Sequence, residues 1–340
     1  MFTIALNFED GVSRFIQCNE NEKVLDAAYR QKINLPMDCS DGVCGTCKCR
    51  CERGEFDLGD EYLEEALSDQ ERDGGLVLTC QMVPSSDCTI AVPVTSSMCK
   101  TGVDTFRTDV IAVENLSPST IELCLRLSDR QGLAFLSGQY VNIQLPGTEI
   151  TRAYSFSSAP GADRLSFLIR NVPNGLMSSW LSKRARPGDA LTLTGPQGSF
   201  YLRAVTRPVL MLAGGTGLAP FLSMLRTLAR GELSFPVHLV WGVNRDSDRV
   251  KLEELASLAQ QMPLFSYRIC VADSASTERR TGYVTQHIDD GMLNDGDVDV
   301  YLCGPPPMVE AVMSYLQARA LAPQNFYYEK FTPQAAGEAS

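Results

Sequence analysis

The sequence predicts a multidomain chain in which an α+β module, an all-β antiparallel barrel and a doubly wound parallel α/β sheet follow one another. Three observations predict it. Five cysteines crowd into Met37–Cys51, MDCSDGVCGTCKCRC, within a stretch of hairpin and helix patterns. Short alternating strands succeed one another over 106–204, and beyond Arg207 apolar strands alternate with helical patterns. The expected divisions are 1–97, a linker at 98–105, 106–204, 205–333 and a flexible tail at 334–340.

In the first module, FTIALNFEDGVSRFIQC reads as two alternating runs joined at Asp10-Gly11, a strong hairpin signal. A helix follows, with Asn19 or Asn21 as cap and Val24, Leu25, Ala28 and Tyr29 at helical spacing. A second helix is expected in EYLEEALSDQE, with strands near Leu76–Thr79 and Thr89–Val92. Between the helices, Cys39, Cys44 and Cys47 are spaced C-x4-C-x2-C, and Cys80 follows in LVLTCQMVP. That is the ligand spacing of a plant-type [2Fe–2S] cluster. Gly42 and Gly45 let the loop turn tightly around inorganic sulfide. Four thiolates also suit zinc, but structural zinc ligands come as two close pairs in sequence, and three plus one fits a cluster better. Cys49 and Cys51 follow Cys47 at every second residue, as strand neighbours on one face, and are not counted as ligands. The whole region resembles a plant-type ferredoxin, a β-grasp domain with Cys39, Cys44, Cys47 and Cys80 at its metal positions.

TSSMCKTGVD, Thr95 to Asp104, loses periodicity and reads as linker. In STIELCLRLS, Ile121, Leu123, Leu125 and Leu127 share a face, and QYVNIQL, RLSFLIR and ALTLTG repeat the alternation expected of a small barrel. Then VLMLA, VHLVWG, YRICVA and VYLCG are strands, while LAPFLSMLRTLA, LEELASLA and MVEAVMSYLQ are helices. NFYYEKF is a last strand.

Three further motifs carry chemistry. Arg152-Ala-Tyr154-Ser155 and the later Asn174-Gly175-Leu-Met177-Ser178 resemble the flavin-binding motifs of the ferredoxin–NADP reductase superfamily. The resemblance implies FAD. Arg152 would fork onto phosphate, Tyr154 cover the isoalloxazine and Ser155 hydrogen-bond near its N5, while Gly175, Met177 and Ser178 give backbone and hydroxyl donors to the diphosphate. LAGGTGLAPF is a strand, a glycine turn and a helix start, so its free amides suit a pyrophosphate. Its Gly214, Gly215, Thr216, Gly217 and Pro220 resemble the nicotinamide domain of the same superfamily. So does YLCGPPPMV, which implies that Cys303, Gly304 and Pro305 lie where nicotinamide meets flavin. Glu329 in YYEKF resembles the superfamily's acid near the flavin, with Phe331 over the ring, although nine residues follow Phe331 here. Ser155, Cys303 and Glu329 are thereby the implied catalytic set. The residues alone do not choose between NADH and NADPH, since Asp246 and Asp248 could meet a ribose and Arg245 and Arg249 a 2′-phosphate. The resemblance implies NADH.

Composition narrows the classes. No charged-then-apolar leader and no membrane-length apolar run is present, so a cytoplasmic chain with reduced thiols is expected. The net charge of −11 is concentrated in residues 1–98, which hold eighteen acidic and eight basic residues and disfavour nucleic acid. By contrast residues 99–203 hold eleven basic and eight acidic residues, so the acidic module could dock on a basic surface. Only His238 and His287 occur, too few for a Rieske centre plus a mononuclear iron, so the chain is not itself a ring-hydroxylating oxygenase. His238 reads as a satisfied core or edge residue, and His287 as a helix-surface one.

The order cluster, flavin, nicotinamide resembles the reductase components of bacterial aromatic-ring dioxygenases of the benzoate or toluate 1,2 type. This implies electron flow from NADH through FAD and [2Fe–2S] to a terminal oxygenase with Rieske and mononuclear iron centres. Reductases of di-iron phenol or methane-type hydroxylases share the layout, and a non-turnover iron–sulfur redox sensor is the reading from another class.

Overall fold

The computed structural model describes residues 1–9, 13–99, 104–128, 133, 135–198, 200–203 and 205–331. The Asp10-Gly11 turn, most of the expected linker's centre and the tail at 334–340 lie outside them. The chain divides into two compact units, the first built on Met1–Asp104 and the second beginning at Thr105.

In the first unit, strands β1 (Phe2–Phe8) and β2 (Ser13–Cys18) form the expected hairpin, followed by helix α1 (Val24–Arg30). Next come β3 (Lys48–Arg53), β4 (Phe56–Asp57), α2 (Asp69–Asp73), β5 (Leu76–Leu78), β6 (Val83–Pro84), β7 (Cys88–Val92) and the turn α3 (Ser96–Cys99). The main sheet runs β2-β1-β7-β3-β5, with β1 and β7 parallel, and its core includes Ile4, Leu6, Ile16, Val24, Leu78 and Ile90. Full burial of each such side chain contributes roughly 1.5–3 kcal/mol.

Three expectations are corrected here. The α1 cap is Lys23, which makes no side-chain cap bond. The Asn19 amide instead donates to Glu22, and Asn21 sits at φ 61°. In EYLEEALSDQE the helix is confined to Asp69–Asp73, started by a Ser68–Glu71 capping box. Residues ahead of it answer to tertiary demands: the Leu63 amide donates to the Gly42 carbonyl, and Ala66 and Leu67 are buried. Finally, Ser96–Cys99 is a helical turn with Cys99 in the core, so this part of the presumed linker belongs to the first unit.

The second unit opens with β8 (Asp104–Ser117), β9 (Thr120–Leu127), β10 (Tyr140–Gln144), β11 (Thr151–Ser155), β12 (Leu165–Arg170), α4 (Leu176–Lys183) and β13 (Ala190–Gln197). The order β11-β10-β13-β8-β9-β12, with a Phe156–Phe167 bridge joining its two ends, closes an antiparallel barrel. Strand β8 has no clean alternation because its register shifts between Val110 and Ala112 and again between Asn115 and Ser117.

The remaining elements are β14 (Val209–Gly214), α5 (Leu218–Leu228), β15 (Val237–Val243), α6 (Leu252–Gln261), β16 (Phe265–Val271), α7 (Asp290–Leu293), β17 (Asp299–Gly304), α8 (Pro306–Ala318) and β18 (Asn325–Lys330). They form a parallel sheet in the order β16-β15-β14-β17-β18. Alternation along β14 and β17 feeds two cores: Val209, Met211, Ala213, Tyr301 and Cys303 face one side, Leu210, Leu212, Val300 and Leu302 the other. The sheet is therefore covered on both faces, and its strand order reverses between β14 and β17. His238 is satisfied by the Ser266 hydroxyl at 2.8 Å, and burial holds its pKa below the ordinary value. His287 departs from expectation: it follows a short 3-10 turn rather than lying on a helix face, and its Nε2 donates to the Thr281 carbonyl at 2.8 Å.

Candidate functional site: a thiol loop, a flavin barrel and a nucleotide cleft

The cysteine loop turns through Ser40, Gly42 and Gly45 at φ of 64°, 80° and 71°. A Cβ on Gly42 would lie 2.8 Å from the Glu61 carbonyl oxygen, so glycine is also required there by close packing. Asp38 accepts the Thr46 hydroxyl at 2.7 Å and braces the loop. Cys80 arrives from the far side, because β3 and β5 pair antiparallel and the Thr79 amide donates to the Cys47 carbonyl at 3.2 Å.

The four thiols stand as two pairs. Cys47 donates to Cys80 at 3.2 Å, and Cys39 is hydrogen-bonded to Cys44. That bond raises the Cys39 pKa and lowers that of Cys44 to about 7; likewise Cys47 is raised and Cys80 lowered, chiefly by their mutual hydrogen bond. Among the described residues no three His, Cys, Asp or Glu side chains converge as ligands of a single ion. The four thiols, standing as two pairs on and beside the loop, would suit a [2Fe–2S] cluster. Cys49 and Cys51 lie on β3, with Cys49 buried in the core and Cys88 hydrogen-bonded to Cys51, apart from the ligand set.

In the barrel, β11 carries Arg152, Tyr154 and Ser155 in register with Ile143, Val141 and Tyr140 of β10. Tyr154 packs on the barrel core, and burial raises its pKa. Gly175 caps α4; a Cβ there would come 2.7 Å from the Ser178 hydroxyl. The Ser178 hydroxyl donates to the Val172 carbonyl at 2.7 Å, and Met177 is buried in the barrel.

The nucleotide cleft is built by close approach of two strand ends. A Cβ on Gly217 would meet the Cys303 carbonyl oxygen at 2.3 Å, and one on Gly214 would meet the Met308 sulfur at 2.6 Å and Pro305 at 3.0 Å. Gly215 takes φ 54°, and its carbonyl accepts the Trp241 indole at 2.9 Å. Thr216 lies in this turn, and Pro220 is buried in the first turn of α5. The result is a helix start at the point where the strand order reverses. Trp241 was visible in sequence only as an apolar strand residue, and nothing there signalled its hold on the turn.

Barrel and cleft meet at one buried group. The Ser155 hydroxyl donates to Glu329 Oε2 at 3.2 Å, and the Cys303 thiol points to the same oxygen at 3.7 Å. Ser155, Glu329 and Cys303 are all buried, and β17 and β18 set Cys303 beside Glu329 in register. The Phe331 amide donates to the Gly304 carbonyl at 2.9 Å, which places the aromatic at the end of the same strand. The implied catalytic set is thus brought together, whereas the cysteine loop belongs to the other unit.

Comparison with known proteins agrees with this division of labour. Models of a 2Fe-2S iron-sulfur cluster binding domain, an oxidoreductase FAD-binding domain and an oxidoreductase NAD-binding domain match residues 7–85, 107–201 and 211–314. The toluate 1,2-dioxygenase electron transfer component of Pseudomonas putida is 53% identical, over 98% of this chain and 99% of its own. The chain belongs to the family of dioxygenase electron transfer components. A 2-halobenzoate 1,2-dioxygenase electron transfer component of Burkholderia cepacia is 50% identical over 98% of both chains. The electron transfer component also shares its fold with a crystal structure of an Amycolatopsis cytochrome P450 reductase, at a TM-score of 0.74 and 32% identity, covering 98% of this chain and 99% of that one. It is an oxidoreductase with a [2Fe–2S] cluster, FAD and NAD as its redox groups.

Proposed function

We propose that this reductase passes electrons from NADH through FAD and the [2Fe–2S] cluster to a terminal, benzoate-type aromatic-ring dioxygenase carrying Rieske and mononuclear iron centres. The observation that carries this reading is the full-length match to toluate and 2-halobenzoate dioxygenase electron transfer components. In this reading residues 1–97 hold the cluster, 106–204 the flavin and 205–333 the nicotinamide nucleotide.

Bound FAD would supply a carrier that accepts a hydride and yields its electrons one at a time, which would match a hydride donor to a one-electron cluster. Arg152 and the α4 amides would hold the FAD diphosphate, and Tyr154 would pack on its ring. Gly214, Gly215, Thr216, Gly217 and Pro220 shape the turn that binds the nucleotide diphosphate. Gly304 and Pro305 form the loop beside the nicotinamide, with Phe331 covering the flavin. Ser155 and Cys303 share one Glu329 oxygen, so the carboxylate fixes both groups. Cys39, Cys44, Cys47 and Cys80 would hold the cluster by their thiolates. No helix among the described residues is long and apolar enough to cross a membrane, and the eight cysteines outside the cluster set are free thiols, which supports action in the cytoplasm.

Docking follows from charge. Asp41, Asp60, Glu61, Glu64 and Glu65 are exposed on the cysteine loop and on the segment that the Leu63–Gly42 hydrogen bond ties to it. A basic oxygenase surface would be steered there, and salt would screen the attraction. Reconstitution with a benzoate-type oxygenase is expected to couple NADH oxidation to ring dihydroxylation. Raising salt from 0.05 to 0.5 M is expected to slow that coupled rate about tenfold, with little change in ferricyanide reduction. Coupling only with a di-iron hydroxylase would replace the partner assignment, and a salt-independent rate would remove the docking surface.

A further inference from the structure

The loops after β15 and β16 hold a charged cluster that the chemistry above does not use. The Arg249 guanidinium is shared by two carboxylates, with Nη1 2.6 Å from Glu278 and Nη2 3.3 Å from Asp246. Asp246 also accepts the Ser276 hydroxyl at 2.8 Å and the Thr277 amide at 3.3 Å, so it fastens one loop to the other. The loops are joined again by backbone bonds from Ala272 to Val243 and from Asp273 to Asn244.

Topology says which part of a dinucleotide reaches this cluster. The diphosphate belongs on the glycine turn after β14, and the nicotinamide on the β17–β18 side, where Cys303 and Glu329 meet Ser155. The adenosine half must then extend the other way, across the ends of β15 and β16. That is where NADPH differs from NADH, by a 2′-phosphate of charge roughly −1.5 to −2.

We propose that Glu278 and Asp246 are the residues that select NADH over NADPH. They occupy the Arg249 guanidinium, the group that would fork onto a 2′-phosphate, and hold it between two carboxylates. The inference rests on the reading of the chain as an NADH-dependent reductase, and it names the groups responsible.

The test uses the full-length holoprotein and two fragments, 5′-AMP and 2′,5′-ADP, with affinities measured by calorimetry. In the wild type 5′-AMP is expected to bind at least as tightly as 2′,5′-ADP. In Glu278→Gln the affinity ratio is expected to shift about tenfold toward 2′,5′-ADP, a change of about 1.4 kcal/mol. The ratio of kcat/KM for NADPH to NADH, with ferricyanide as acceptor, should rise with it. In Glu278→Gln/Arg249→Gln the shift should disappear, because the freed guanidinium is what binds the phosphate. Flavin spectra and thermal midpoints of each variant establish that the cleft is intact. An unchanged ratio in Glu278→Gln, or a shift that persists without Arg249, would overturn the proposal and leave the NADH reading standing. A wild type that prefers 2′,5′-ADP, through Arg245, Arg279 or Arg280 of the same loops, would overturn both.

Discussion

Replacing Cys80 by alanine should abolish electron delivery to one-electron protein acceptors while sparing the flavin. Cys80 stands 3.2 Å from Cys47, and in the proposed ligand set these two thiols would together hold one iron. With one iron left a single thiolate, the cluster should not persist, and NADH-dependent cytochrome c reduction is expected to fall at least about 100-fold. Ferricyanide can draw electrons from the flavin directly, so its reduction should remain within about threefold of the wild type, the barrel and cleft belonging to the other unit. Equal loss of both activities, with flavin still bound, would mean that the cluster is not the exit. The Cys49→Ala variant gives the contrast: it should keep the cluster and lose only packing, since Cys49 is buried in the sheet core rather than paired in the loop.

The second large effect is expected at Ser155. Its hydroxyl is buried and donates to Glu329, which the Cys303 thiol also approaches. Alanine removes the donor and leaves that carboxylate oxygen with less support in a site shielded from water. A loss of about 10²–10³ in the rate of flavin reduction by NADH is expected, the usual size for removing one positioned donor. FAD content should not change, and deuteration of the transferred hydrogen should slow the variant more than the wild type, because hydride transfer becomes limiting. Threonine at the same position keeps a hydroxyl and should recover part of the rate. Loss of FAD from Ser155→Ala, or a rate within twofold of the wild type, would place Ser155 outside the hydride step.

Much of this was legible in the sequence where the chemistry is local. The spacing of Cys39, Cys44 and Cys47 defines one tight loop whatever surrounds it, and the glycines from Gly214 to Gly217 mark a strand-to-helix turn by conformational need alone. What was hidden depends on distant partners. The pairing of Cys47 with Cys80 is set by the β3–β5 register, and the requirement for glycine at 217 by the Cys303 carbonyl. Strand β8 was obscured because two register shifts interrupt its alternation. EYLEEALSDQE has helical composition, yet burial of Ala66 and Leu67 and the hydrogen bond to Gly42 outweigh propensity over its first half. Ser178 illustrates the finer scale: its place beside Gly175 was informative, but only coordinates show its hydroxyl turned back onto Val172.

The central claim is that one chain holds a flavin and a two-iron cluster in electronic series. It is tested most directly by assaying iron, acid-labile sulfide, zinc and flavin in the purified protein, then titrating it anaerobically with NADH while following the visible spectrum. The account predicts two irons and two sulfides per FAD, negligible zinc, and bleaching of flavin and cluster together, with three electrons taken up per chain. Zinc in place of iron and sulfide, or a cluster that stays oxidised while the flavin is fully reduced by NADH, would contradict it.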